Sequence, residues 1–161
     1  MVGASLFAAG AGGALFATHP YGPAIFFAGS IFFTTAAYLQ VVEVVNEPDP
    51  ATGHRPPFAL WRFEPQKLGW WAVVVQFVGT LLFNVNTYEG MQTLDPRLEE
   101  RLVWTPDAIG SVCFLVASYL AYVEVCGGWI GFQPKNVSWW ITVINLVGSV
   151  AFGVAAMTSY V

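Results

Sequence analysis

"AGSIFFTTAAYLQVVEV" (Ala28–Val44) returns later in the chain as "IGSVCFLVASYLAYVEV" (Ile109–Val125). Aligned without a gap, Gly29-Ser30 falls on Gly110-Ser111, Phe33 on Phe114 and Ala36 on Ala117. Tyr38-Leu39 falls on Tyr119-Leu120, and Val42-Glu43-Val44 on Val123-Glu124-Val125. A second pair of segments matches in the same way. "WWAVVVQFVGTLLFNV" (Trp70–Val85) aligns with "WWITVINLVGSVAFGV" (Trp139–Val154), and the lead-in "FEPQKLG" (Phe63–Gly69) with "FQPKNVS" (Phe132–Ser138). The chain therefore reads as a repeated two-segment unit.

Composition says where such a unit can live. The 161 residues are 56% hydrophobic and only 10% charged, against about a quarter charged in a soluble domain. So few polar groups could not cover a water-facing surface, which points to an integral membrane protein. The net charge of −4 excludes the basic patch that nucleic-acid binding needs. Cys113 and Cys126 fall on one segment, roughly 20 Å apart at helical rise, too far to form a disulfide with each other. The N-terminus has no basic n-region and no obvious cleavage site, so no removable signal peptide is expected.

Five apolar segments stand out: Val2–Thr18, Tyr21–Val45, Leu68–Thr87, Pro106–Cys126 and Val137–Val161. A helix crosses a bilayer in ~20 residues, and helices are the expected form because an open strand in lipid leaves backbone groups unpaired. The expectation is an all-α polytopic membrane bundle, one transmembrane domain with five spans and a connection at 46–67. The second and fourth segments are type B, the third and fifth type A. The first fits type A more loosely, with "AGGALFAT" (Ala11–Thr18) under "VGTLLFNV" (Val78–Val85). The order A-B-A-B-A gives parallel rather than inverted repeats, and it predicts a third B helix after Val161.

Arg55, Arg62, Lys67 and Lys135 flank one set of connections, and only Arg97 and Arg101 flank the other. The positive-inside rule then puts the N-terminus on the cytoplasmic side. "NEPDPATGHRPP" (Asn46–Pro57) reads as a flexible, turn-rich insertion. "FALWRFEPQKLGWW" (Phe58–Trp71) reads as an aromatic belt at the headgroups. Asn136-Val137-Ser138 formally matches a glycosylation sequon, but it sits at an expected cytoplasmic helix start and carries no weight.

Among candidate functional residues, Gly29-Ser30, Gly79-Thr80, Gly110-Ser111 and Gly148-Ser149 occur once in each well-matched helix. Small residues let helix backbones approach in lipid, so these pairs are read as packing seams, as are Gly10, Gly12 and Gly13. No His or Asp stands at helical spacing to activate the hydroxyls. Gln76, Asn84, Asn86 and Asn145 are polar groups in apolar segments. Interhelical hydrogen bonds are the plain account, and a polar pathway is the sharper one. Glu43 and Glu124 default to a functional hypothesis as intramembrane carboxylates. Each lies about 21 Å along its helix from the Gly-Ser pair, near the interface. There a carboxylate reaches water or pairs with Arg62, Lys67 or Lys135, so a structural ion pair or a solvated end is expected ahead of a proton or cation site. His19 and His54 have no helical metal partner, and no cofactor motif is visible.

On "WWAVVVQFVGTLLFNVNT", "WTPDAIGSVCFLVASYLAYVEV" and "SWWITVINLVGSVAFGVAA", the chain resembles the uncharacterised, chiefly actinobacterial multi-pass membrane proteins called YrhK-like, over about Ala24–Val161. The resemblance implies a further apolar helix after the last one here. It implies no activity, so no functional residue is carried over. The leading expectation is a non-enzymatic membrane scaffold or accessory subunit. Its partners would be the lipid bilayer and either a membrane-protein partner or further copies of itself. The alternative is a small transporter or channel lined by Gln76, Asn84, Asn145, Glu43 and Glu124.

Overall fold

The computed structural model describes residues 2–16, 21–49 and 51–159, the side chains of 13–16 and 159 excepted. Ala17, Thr18, His19, Tyr160 and Val161 lie outside the described residues, as does anything beyond Val161. The fold is all-helical: α1 (Val2–Phe16), α2 (Gly22–Val45), α3 (Leu68–Glu89), α4 (Pro96–Cys126) and α5 (Val137–Ser159). The last four are long and apolar enough to cross a membrane. At 15 residues, α1 extends about 22 Å, short of the ~30 Å hydrocarbon core. Among the described residues, four of the five helices are thus of span length and α1, which meets the undescribed residues 17–20 at its end, is the shorter one.

Each helix packs on the next in sequence. One ring from each helix ties them together. Phe7 of α1 meets Phe33 of α2 at 5.4 Å between ring centroids and Phe83 of α3 at 5.4 Å. Phe83 meets Phe114 of α4 at 6.4 Å and Phe152 of α5 at 5.3 Å. Phe114 and Phe152 close the set at 5.6 Å. Tilted and edge-on rings of this kind satisfy the aromatic quadrupole as well as filling space.

The glycines explain why neighbouring helices come so close. A Cβ built on Gly110 would stand 3.3 Å from the Gly79 carbonyl and 3.7 Å from Leu82 Cβ. A Cβ on Gly29 would stand 3.4 Å from the Gly3 carbonyl and 3.4 Å from Leu6 Cβ. Gly3, Leu6 and Phe7 of α1 therefore occupy the places of Gly79, Leu82 and Phe83 of α3. This corrects the expected register, in which Ala11–Thr18 was laid under Val78–Val85. The misleading cue was "LF" at Leu15-Phe16, which matches "LF" at Leu82-Phe83 as well as Leu6-Phe7 does. Gly10 lies against the Phe26 ring, but Gly12 has open space around it and is no seam. The surroundings of Gly13 fall outside the described residues.

The connection expected at Tyr88–Thr105 is mostly helix. Asp95 caps a new start, its Oδ1 accepting from the backbone amides of Arg97 at 3.0 Å and Leu98 at 3.2 Å. Pro96 fills the first turn, where a missing N–H costs nothing. A π-helical turn at Glu100–Trp104 then leads into the apolar stretch. The insertion at Asn46–Pro57 closes on itself. Asp49 N donates to the His54 carbonyl at 3.0 Å, and Gly53 N to the Asp49 carbonyl at 2.7 Å. Gly53 turns the chain at φ +68, a conformation that glycine adopts without Cβ strain.

Candidate functional site

Two clusters hold the polar groups that the sequence singles out: the helix interfaces within the apolar layer, and the end of the bundle that carries connections 46–67 and 127–136.

Within the layer, three of the four predicted carboxamides, Gln76, Asn86 and Asn145, are bonded to a neighbouring helix. Gln76 Nε2 donates to Gln40 Oε1 at 3.0 Å, joining α3 to α2. Asn145, at the same position of the repeated pattern, donates through Nδ2 to Ser118 Oγ at 3.0 Å, joining α5 to α4. Ser118 and Ser149 share a buried hydrogen bond of 2.6 Å. Asn86 Nδ2 donates to Asp107 Oδ1 at 2.7 Å between α3 and α4. Thr87 Oγ1 donates to Ser30 Oγ at 3.0 Å, and Thr34 Oγ1 to the Thr80 carbonyl at 3.3 Å, both between α2 and α3. Asn84 Oδ1 is buried and accepts no hydrogen bond among the described residues.

The seam hydroxyls also turn back on their own helices. Ser30 donates to Phe27 O at 2.7 Å, Thr80 to Phe77 O at 2.7 Å, Ser111 to Asp107 O at 2.8 Å and Ser149 to Asn145 O at 3.0 Å. A hydroxyl donor engaged in this way is not poised as a nucleophile. A cavity of about 270 Å³ opens between Pro23, Phe26, Phe83, Asn86, Thr87 and Gly90. Of the predicted polar residues it includes Asn86 alone, and neither Gln76, Asn145, Glu43 nor Glu124 reaches it.

At the long-loop end, the two connections fold alike. Trp70 Nε1 donates to the Arg62 carbonyl at 2.9 Å, and Trp139 Nε1 to the Gly131 carbonyl at 2.9 Å. Trp71 Nε1 reaches Pro65 O at 2.9 Å, and Trp140 Nε1 reaches Pro134 O at 3.0 Å. Tyr38 and Tyr119 donate to Leu60 O and Trp129 O at 3.4 and 3.3 Å. Phe63 and Phe132 stand edge-on to Trp70 and Trp139 at 5.1 and 5.3 Å. Indole N–H groups spent on loop carbonyls, with rings left exposed at Phe63, Phe132, Trp129 and Trp61, suit the wet edge of a bilayer.

The first connection is charged where the second is neutral. Buried Glu64 pairs with Lys67 Nζ at 2.7 Å and Arg62 at 3.5 Å. Its counterpart Gln133 accepts from Asn136 Nδ2 at 3.0 Å. Arg62 also donates to the Val45 carbonyl at 2.8 Å and the Pro57 carbonyl at 2.7 Å, placing positive charge at the α2 C-terminus, where the helix dipole favours it. Asn46 holds both ends of the same clasp, donating to Val42 O and Ala59 O and accepting from Ala59 N.

Arg62 and Lys67 are thus engaged by Glu64, and among the described residues neither forms an ion pair with Glu43 or Glu124. Of the ion pair and the solvated end expected for these glutamates, the ion pair is absent among the described residues. Both glutamates are exposed. The Glu124 carboxylate instead fills the space beside Gly69, where a Cβ would lie 2.5 Å from Oε1 and 2.7 Å from Oε2. What Glu43 and Glu124 share is Glu47. Partial burial raises its pKa above the usual value, the charge of Glu124 raises it further, Lys67 opposes, and Glu43 and Glu64 add to the rise. Sequence reasoning missed Glu47 and Glu64, both of which sit in a segment read as a loop. Among the described residues, no three His, Cys, Asp or Glu side chains stand together as a metal site. Compared with known proteins, the chain matches no family model, no curated protein and no solved structure.

Proposed function

We propose that this is a non-enzymatic scaffold or accessory subunit of a bacterial cytoplasmic membrane, with its N-terminus inside. The observation that carries the reading is the pairwise use of the intramembrane polar groups. Gln76 is engaged with Gln40, Asn145 with Ser118 and Asn86 with Asp107. Each bond ties two adjacent helices, and each is worth on the order of 1 kcal/mol in a membrane. A transport pathway needs such groups to face one water-accessible space. The orientation rests on Arg55, Arg62, Lys67 and Lys135 at the long-loop end, which the positive-inside rule assigns to the cytoplasm.

The rival reading, a small transporter or channel, draws on the buried and unbonded Asn84 Oδ1. One experiment separates the two. The protein is reconstituted in proteoliposomes carrying a proton or potassium gradient, with an internal dye as the readout. Leakage equal to that of empty liposomes is expected. Flux above that level, abolished by Asn84→Ala or Gln76→Ala, would replace the scaffold reading with the transporter one.

A further inference from the structure

The two loop clasps fold alike but use their cations differently. In the first, Arg62 meets Glu64 and the Val45 and Pro57 carbonyls, and Lys67 meets Glu64. In the second, Gln133, Lys135 and Asn136 stand where the first has Glu64, Gln66 and Lys67. The lysine has moved one place along the chain, and the carboxylate that would neutralise it is an amide. Gln133 Oε1 accepts from Asn136 Nδ2 at 3.0 Å instead. Lys135 is exposed and, among the described residues, takes part in no ion pair.

Lys135 lines a cavity of about 480 Å³ together with Phe132, Gln133, Pro134 and Asn136, and no carboxylate lines it. The loop that forms it is held by both neighbouring helices. Tyr122 Oη of α4 donates to the Gly131 carbonyl at 2.6 Å, Trp140 Nε1 of α5 to the Pro134 carbonyl at 3.0 Å, and Ser138 N of α5 to Asn136 Oδ1 at 3.0 Å. Its flanks are apolar and exposed, with Ile130 at 91% and Phe132 at 79%, and Trp129 and Val137 close behind. An ammonium without a counter-ion, in a fixed loop flanked by exposed apolar side chains, suits the bilayer level where lipid headgroups lie beside the aromatic belt. A dissolved anion would meet the lysine but leave those flanks in water. A lipid answers both, with its phosphate at the lysine and its chain beside the rings.

We propose that the cavity at 132–136 binds the headgroup of an anionic phospholipid, with Lys135 neutralising the phosphate and Phe132 lying against the acyl chain. Basic pockets at a membrane edge take anionic headgroups by this charge complementarity. The proposal goes beyond the scaffold reading and rests only on α2 to α5 lying in a bilayer. The first clasp, whose lysine Glu64 already neutralises, offers no such site.

The test titrates the purified full chain in a neutral detergent with phosphatidylglycerol or phosphatidylcholine of identical acyl chains, and counts bound lipid by native mass spectrometry. Phosphatidylglycerol should bind the wild-type chain more tightly than phosphatidylcholine. Lys135→Gln, which installs the first clasp's residue at this place, should weaken phosphatidylglycerol binding about fivefold, the scale of one lysine at an anionic surface. Lys135→Arg should keep it. Arg55→Gln removes the same charge from an exposed position in the other connection and should leave binding unchanged. The thermal midpoint of lipid-free Lys135→Gln should match wild type, because Lys135 has no ion pair to lose among the described residues. Equal binding of the two lipids, unchanged binding by Lys135→Gln, or an equal loss in Arg55→Gln would overturn the proposal. So would a lowered midpoint, which would make Lys135 a structural residue, or displacement of the lipid by excess inorganic phosphate, which would mark a site for dissolved anions.

Discussion

Gly79 and Gly110 cross so closely that a side chain on Gly110 would begin 3.3 Å from the Gly79 carbonyl, and one on Gly79 would begin 3.0 Å from Cys113 Cβ. The same residue type at Gly148 has open space. Gly79→Ala should therefore cost about 1–3 kcal/mol through overpacking of α3 on α4. Gly148→Ala should be neutral or stabilise by up to about 1 kcal/mol through helix propensity alone. Unfolding of the two variants in detergent, each against wild type, checks this. Equal losses would mean that crossing distance does not govern the seam.

That contrast marks how far the sequence could be read. The apolar segments, the seams at Gly29, Gly79 and Gly110 and the carboxamides at Gln76 and Asn145 were legible because period and position survive in a single chain, but the same pattern also marked Gly148 as a seam, and it has open space. The register of α1 was not, because a two-residue "LF" match outweighed Gly3, and only the crossing with Gly29 decides between them. The helix from Pro96 was legible in principle. "DPRLEE" (Asp95–Glu100) has a capping acid and a first-turn proline, but its charge concealed it as a loop. The partners of Arg62 and Lys67 were not legible at all. Three glutamates compete for them, and the winner, Glu64, is set by how the loop folds over α2.

The carboxamide bonds make a graded prediction. Asn145→Ala removes a donor from a network that includes the 2.6 Å Ser118–Ser149 bond. Gln76→Ala breaks one contact to the more exposed Gln40. Each should cost roughly 0.5–2 kcal/mol, in the range measured for interhelical bonds in membranes, with Asn145→Ala the larger. A double-mutant cycle of Asn145→Ala with Ser118→Ala should show coupling, and one of Asn145→Ala with Gln40→Ala should show none. Coupling between Asn145 and Gln40 would indicate a shared polar network that the geometry lacks.

The two loop clasps exchange an ion pair for an amide pair at matching places. Lys67→Ala alone leaves the buried Glu64 carboxylate with only the 3.5 Å contact to Arg62. It should cost about 1–3 kcal/mol, the usual penalty for stranding a buried polar group. The double variant Glu64→Gln with Lys67→Asn installs the chemistry of Gln133 and Asn136 and should recover most of that loss. Thermal unfolding of the single and double variants is the measurement. A double variant no better than Lys67→Ala would show that the ion pair does something the amide pair cannot.

Glu47 gives the pH dependence. Its folded pKa lies above the usual 4.5, through partial burial first, then the charge of Glu124, with Glu43 and Glu64 adding and Lys67 opposing. A carboxyl group whose pKa rises on folding favours the fold while protonated. That contribution is complete below the unfolded value and is lost as pH climbs through the folded one. Ionised Glu47 is therefore a small liability at neutral pH. Glu47→Gln should stabilise the protein at pH 7 by less than about 0.5 kcal/mol, the scale of surface substitutions, and the gain should vanish below pH ~4. Removing Lys67 takes away the one opposing charge, so the gain from Glu47→Gln should be larger in a Lys67→Ala background and smaller in a Glu124→Gln background. Melting curves of these variants from pH 4 to pH 8 would reveal the pattern, and a gain that ignored both neighbours would dissociate Glu47 from the two repeated glutamates.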